Sequence, residues 1–214
     1  MLIIHEELPR EAARVNKALN QVYGLKSTLI NQDLSSVFVL LKKFNGFKTS
    51  ERKLSRFLAK KYDSKKCLVV TSKDIYTDTK NKNDDWIFGY QYDKVMVVST
   101  ARLKGGVSQE HYLRRVEFIA AHEAGHEVIE ADHYKNAAWV NSVTGYKLPL
   151  GYHCTDNKCV MYGIVDLQAP PSTQGYLKIG RERRNDAGLD DVLERMHPHF
   201  LCNKCSDSMK TDSV

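Results

Sequence analysis

The residues with the clearest chemical meaning are His122-Glu123-Ala124-Gly125-His126. Histidines four apart on a helix project from one face, one turn apart, so their imidazole nitrogens can converge on a single Zn²⁺. Glu123 lies between them and projects beside such an ion. There it can take a proton from an attacking water and hand it to a leaving amine. Zinc draws the pKa of water beside it towards about 7, within reach of a carboxylate base. The pattern points to metal-assisted hydrolysis; the bland alternative is two solvated or core histidines on an ordinary helix. The pentapeptide alone arises by chance in about one chain in a hundred of this length, so its setting has to decide.

A hydrolytic zinc takes three protein ligands and keeps one position open. Three downstream residues are candidates for the third ligand. Asp132 and His133 follow His126 closely, but a continued helix carries either about 9–10 Å along its axis, too far to share the ion. The chain would have to turn near Ile129 and Glu130, where no glycine helps it. His153 comes after Gly151, in a stretch able to fold back. Local physics leaves all three open.

Of the five cysteines, Cys154, Cys159, Cys202 and Cys205 fall in the last third of the chain. In a reducing compartment, clustered cysteines bind metal more often than they form disulfides. Four thiolates make a common closed structural zinc site, one that can hold together a segment with little core. Cys67 lies in a β-rich run and reads as a small buried residue.

These groups need a scaffold. Ser108 is a plausible N-cap for a helix over about 109–129, along which Leu113, Val116, Ala120, Ala124 and Val128 recur at core-facing spacing. Upstream, residues 1–5 read as a strand. Pro9 then opens a helix to about Tyr23, with Ala12, Val15, Leu19 and Val22 on one face and Gly24 as its stop. Residues 25–30 read as a strand, 35–41 as an apolar run of undecided type. A helix capped by Thr49 or Ser50 runs to about Tyr62, with Leu54, Phe57 and Leu58 inward. Residues 66–72, 86–92 and 94–101 read as further strands around a charged loop at 80–85. Beyond the long helix the periodicity decays. Pro149, Pro170 and Pro171 mark an irregular part interrupted by a short helix near 189–196. The expected division is an N-terminal α/β part over 1–130 that carries the histidine helix, and a C-terminal part over 131–214.

The bulk figures narrow the class. A chain of 214 residues with 42% apolar composition can build one sizeable core. The net charge of +6 comes from scattered pairs such as Lys42-Lys43, Lys65-Lys66 and Arg183-Arg184, interrupted by acids. That pattern fits a solvated surface better than a nucleic-acid footprint. No uncharged apolar run of about 18 residues appears, so no membrane span is expected. The start of the chain lacks the basic and longer apolar regions of a secretory signal, and the expected location is cytoplasmic.

The segment His153-Cys154-Thr155-Asp156-Asn157-Lys158-Cys159-Val160-Met161, with Cys202-Asn203-Lys204-Cys205 later, resembles the archaemetzincin signature. In that family an H-E-x-x-H helix is followed by a third histidine with a cysteine directly after it. A second cysteine, a methionine turn and a final C-x-x-C complete the pattern. The run 95–103 and Asp74-Ile75-Tyr76 are also similar to that family. The resemblance spans about 65–205; residues 1–64 carry no signature.

The resemblance implies an α+β, zincin-like (metzincin) fold: a twisted mixed β-sheet with packing helices, an active-site helix and an irregular C-terminal subdomain pinned by zinc. It makes His122, His126 and His153 the ligands of a catalytic zinc, with Glu123 as general base and Met161 in the apolar turn beneath. Cys154, Cys159, Cys202 and Cys205 would hold a second, structural zinc. The implied activity is that of a metallopeptidase acting on a peptide or protein. The substrate would pair along the edge of strand 94–101. In the family the third histidine follows the second closely, after a glycine. Here residues 127–152 intervene, and Asp132 stands at the family's third-ligand spacing, where it competes with His153. The intervening residues would shape or cover the cleft.

The rival expectation is a zinc-binding interaction or nucleic-acid-binding module with an inactive protease-like site, marked by a fourth side chain closing the histidine site. Trp86 and Trp139 read as packing residues. Tyr146, Tyr152 and Tyr162 are candidate oxyanion donors, and His197 and His199 are surface residues or substitute ligands.

Overall fold

Two runs, Cys67–Thr71 (β5) and Val95–Ser99 (β9), are buried at every position. Only a strand with neighbours on both edges and layers on both faces buries so continuous an apolar run. They pair in parallel, Val69 opposite Val97. β5 also pairs with Leu2–His5 (β1), and β1 with Thr28–Asn31 (β2), both in parallel. Gly89–Tyr92 (β8) adds an antiparallel edge to β9, so the five-stranded order is β2-β1-β5-β9-β8. The computed structural model describes residues 1–36, 38–41, 46–49, 51–63, 65–73, 75–76, 86–101, 103–104, 108–129, 137–140, 147–151, 153–154, 156, 158–161 and 201–210.

The period-two alternation of β9 separates the two faces. Val95 and Val97 join Ile4, Val69, Leu54 and Leu58 on one face, beneath helix α2 (Glu51–Lys61). Met96 and Val98 face the other way, with Leu68 and Val70, onto helices α1 (Pro9–Tyr23) and α3 (Gln109–Val128). α1 buries Ala12, Val15, Ala18, Leu19 and Tyr23 and stops where Gly24 adopts φ 67°. That left-handed conformation suits a residue without Cβ. Ser108 caps α3, accepting the His111 N–H at 3.3 Å. Cys154, Cys159, Val160, Met161 and Cys205 lie in the same core as α1 and α3.

A second sheet has the order β3-β4-β6-β7, from Phe38–Leu41 (β3), Gly46–Thr49 (β4), Ile75–Tyr76 (β6) and Trp86–Ile87 (β7). Of the undecided run over 35–41, Phe38–Leu41 is a strand, and residues 35–36 are a turn. The single strand expected over 86–92 is two: the chain bends at Phe88 and passes from the second sheet into the first. The strand expected from residue 25 begins only at Thr28. Leu25 is still bound to the end of α1, donating its N–H to Leu19 at 3.4 Å. Part of the stretch read as irregular is a hairpin of Ala137–Val140 (β10) and Lys147–Gly151 (β11). Pro149 stands opposite Ala138 in this ribbon.

Two further expectations change. Strand β9 is bonded on both sides, so it offers no edge to a substrate; among the described residues the sheet edge beside it is β8. The chain does turn at Ile129 without glycine. Ile129 takes an extended conformation, φ −100° and ψ 137°, and bridges Met209, while the Lys210 N–H bonds the Val128 carbonyl at 2.9 Å. The turn is held from the far end of the chain, and its negative φ needs no glycine.

Candidate functional site

α3 carries His122 and His126 on adjacent turns, and the segment after β11 returns His153 to them. The three ring centroids stand 4.8–5.1 Å apart, with His126 nearly perpendicular to the other two rings. One nitrogen from each lies within 4.8 Å of the others. Among the described residues no fourth histidine, cysteine or carboxylate joins this group.

The ring of His122 is fixed from behind. Its Nδ1 lies 2.8 Å from the Val160 carbonyl oxygen, which can only accept, so Nδ1 carries the proton. That leaves Nε2 as a lone-pair donor, and it is buried without a hydrogen-bond partner. A buried unsatisfied ring nitrogen costs on the order of 1–3 kcal/mol, a cost that a bound cation removes. Burial holds the His122 pKa well below its ordinary value, with His126 and His153 adding to the effect. Burial, then His153, pushes His126 down to about 3. The His122 and His126 imidazoles are thus neutral at physiological pH, the form that ligates metal.

Glu123 is only 8% exposed and packs under the edge strand. A Cβ built on Gly89 of β8 would lie 2.7 Å from Glu123 Oε1 and 2.8 Å from its Cγ. Beneath the histidines, a Cβ on Gly125 would lie 2.0 Å from Met161 Sδ and 2.6 Å from the Tyr23 hydroxyl. The glycine between the histidines lets the Met161 thioether reach the helix backbone. The buried Tyr23 hydroxyl stays protonated, its pKa raised first by burial and then by Cys159 and Cys205.

The four C-terminal cysteines form a second cluster immediately behind the first. Cys154 Sγ lies 3.6 Å from Cys202 Sγ, and Cys205 Sγ lies 3.4 Å from Cys159 Sγ and 3.5 Å from Cys202 Sγ. A disulfide needs about 2.05 Å, whereas a tetrahedral ion with bonds near 2.3 Å spaces its sulfurs about 3.8 Å apart. None of the four is in a disulfide. The backbone N–H of Asp156 points at Cys154 Sγ (3.3 Å) and that of Cys202 at Cys159 Sγ (3.5 Å), the arrangement that supports thiolate charge. Hydrogen bonding with Cys154, then burial, pushes the Cys159 thiol up to about 12, so a cation is needed to ionise it near neutral pH.

No family model matches the sequence, and no curated protein does. Solved structures match over nearly the whole chain. The archaemetzincin from Archaeoglobus fulgidus, complexed with malonate, superposes with a TM-score of 0.58 at 21% identity, covering 97% of this chain and 99% of that one. A zinc-dependent peptidase from Methanocorpusculum labreanum gives 0.58 at 18% identity, with 97% and 98% covered. The archaemetzincin from Methanopyrus kandleri gives 0.56 at 20% identity, with 96% and 91% covered. The chain has the archaemetzincin fold.

Within the archaemetzincin fold of this chain, His122, Glu123, His126, His153 and Met161 meet at one place, and Cys154, Cys159, Cys202 and Cys205 at another. Cys67 is apart from both, buried in β5 with its thiol pushed up to about 11 by burial. Asp132, His133, Tyr146, Tyr152, Tyr162, His197, His199 and the helix near 189–196 lie outside the described residues, as do the side chains of Trp86 and Trp139. Sequence reasoning missed Tyr23, Gly89, Gly125 and the Val160 carbonyl. Only Gly125 left a signal: a glycine inside a helix costs about 1 kcal/mol relative to alanine and asks for a packing reason.

Proposed function

We propose that this chain is a zinc-dependent metallopeptidase. The observation that carries the reading is the convergence of three histidines, with His122 Nε2 bare and its Nδ1 pinned to a backbone carbonyl, beside the buried carboxylate of Glu123. His122, His126 and His153 would hold the catalytic ion, and Cys154, Cys159, Cys202 and Cys205 a second, structural one. The names of the structural neighbours, a zinc-dependent peptidase among them, support this choice of metal and reaction.

Bound zinc would supply an acidified water and a positive charge to polarise the scissile carbonyl. The chain's own residues do the rest. Glu123 takes the proton from the attacking water and gives it to the departing amine. The β8 edge binds an extended peptide by strand addition and sets its scissile bond against Glu123, because Gly89 brings that edge onto the carboxylate. Among the described residues the site offers three ligands and no fourth, which favours an enzyme over a binding module, since a closed site needs a fourth side chain.

The test is metal counting and peptide cleavage in wild type and Glu123→Ala. The reading expects hydrolysis by wild type, and a variant that keeps both metals while losing activity by about 10²-fold or more. Cleavage undiminished in Glu123→Ala would remove Glu123 as the base, and none by wild type across a broad peptide mixture speaks for the binding module.

A further inference from the structure

Tyr23, the last residue of α1, places its side chain in the seam between α3 and the Met161 turn and is 2% exposed. Its hydroxyl donates to the Ala121 carbonyl at 2.7 Å, and Met161 Sδ lies 3.8 Å from the same oxygen. Ala121 directly precedes His122. In a helix its carbonyl is the acceptor for the Gly125 N–H, which directly precedes His126. The tyrosine bond therefore falls on the turn that sets the spacing of the two histidines. A Cβ on Gly125 would lie 2.6 Å from the hydroxyl, so the oxygen is seated against the helix backbone itself. On its other side stands Met161, next in sequence to Val160, whose carbonyl orients His122.

We propose that Tyr23 is a positioning residue for the histidine centre: its hydroxyl locks the α3 turn between His122 and His126 to the Met161 loop, holding ligand helix and ring-orienting carbonyl in one geometry. This rests on the zinc reading above. Packing alone does not require the hydroxyl, because the ring would fill the seam equally well as phenylalanine. Nor is Tyr23 simply any buried tyrosine of the α1–α3 interface. Tyr112 is buried in that interface too, its hydroxyl donating to Glu11 Oε1 at 2.9 Å, but none of its partners belongs to the histidine turn.

The experiment compares wild type, Tyr23→Phe and the matched control Tyr112→Phe. Zinc affinity at the histidine site is measured by competition with a chromophoric chelator, and the visible spectrum is recorded after Co²⁺ replacement. Tyr23→Phe is expected to fold, to keep the cysteine-bound metal, and to bind the histidine-site metal about tenfold more weakly, the lower end of what losing an outer partner costs. Its Co²⁺ bands should shift, and kcat should fall while KM holds. Tyr112→Phe should lose thermal stability without moving any of these readouts. The proposal is overturned if Tyr23→Phe matches wild type in affinity and spectrum, if both variants weaken the metal alike, or if Tyr23→Phe fails to fold, which would make the hydroxyl merely structural. Wild type binding no metal at the histidines is a separate outcome: it removes the zinc reading and this proposal with it.

Discussion

The Val160 carbonyl accepts a hydrogen bond from His122 Nδ1 at 2.8 Å, and Val160 is flanked by Cys159 of the thiol cluster and by Met161. The residue that orients one site is thereby bonded in sequence to the other. On the far side of the loop, His153 directly precedes Cys154, and the Cys154 N–H closes the loop on the Met161 carbonyl at 2.7 Å. Both histidine-site links to residues 153–161 run next to a cysteine, so the two clusters form one mechanical unit.

Removing one sulfur should therefore reach both centres. Cys205→Ser is expected to lower the zinc content at the cysteine cluster, to cost several kcal/mol in unfolding free energy, and to weaken metal at the histidines as well. Zinc counting and chelator competition on the folded variant check this. Full affinity at the histidines after loss of the cysteine-bound ion would show the clusters to be independent.

Gly125→Ala separates helix propensity from packing. On propensity alone alanine should stabilise α3 by about 1 kcal/mol. The new methyl meets Met161 Sδ at 2.0 Å and the Tyr23 hydroxyl at 2.6 Å, and overpacking of that kind costs about 1–3 kcal/mol. The expected net result is a less stable protein with Met161 displaced, measured by urea denaturation. A more stable protein would mean that Met161 does not pack against the helix there.

Gly89→Ala tests the placement of the base. Its Cβ would overlap Glu123 Oε1 and Cγ, at 2.7 and 2.8 Å, and also crowd the Val97 carbonyl at 2.7 Å. Moving a catalytic group by about 1 Å can cost on the order of 100-fold. Peptide hydrolysis should fall by roughly that factor with zinc content unchanged. Steady-state kinetics beside metal analysis read both.

Acid should destabilise the metal-free chain through its histidines. His126 is held at about 3 when folded, against an ordinary value near 6.5, with burial the main cause. Between those values the unfolded chain binds more protons than the native one, so stability is full above pH 6.5 and falls as pH drops towards 3. At pH 5 the loss from His126 is about 2 kcal/mol. Urea midpoints of wild type and His126→Asn at pH 7.5 and 5 should show the wild type falling more. Parallel falls would assign the acid sensitivity elsewhere.

Much of the histidine site was legible because its information is local. The i, i+4 spacing of His122 and His126, the Ser108 cap and the Cys-x-x-Cys pair each lie within a few residues. What stayed hidden depends on partners distant in sequence. Val160 contributes a backbone oxygen, which has no residue signature. Tyr23 acts 98 residues away from Ala121. Whether 94–101 or 86–92 holds the sheet edge is decided by strand pairing and not by either strand's composition, and the helix ends at Ile129 because Met209 and Lys210 close it.

The most direct test is X-ray diffraction from crystals of the full chain, recorded on either side of the zinc absorption edge. One anomalous peak is expected bonded to nitrogens of His122, His126 and His153 with a position left to solvent, and another among Cys154, Cys159, Cys202 and Cys205. An absent peak at the histidines, or one completed by a fourth side chain such as Asp132, would contradict that expectation.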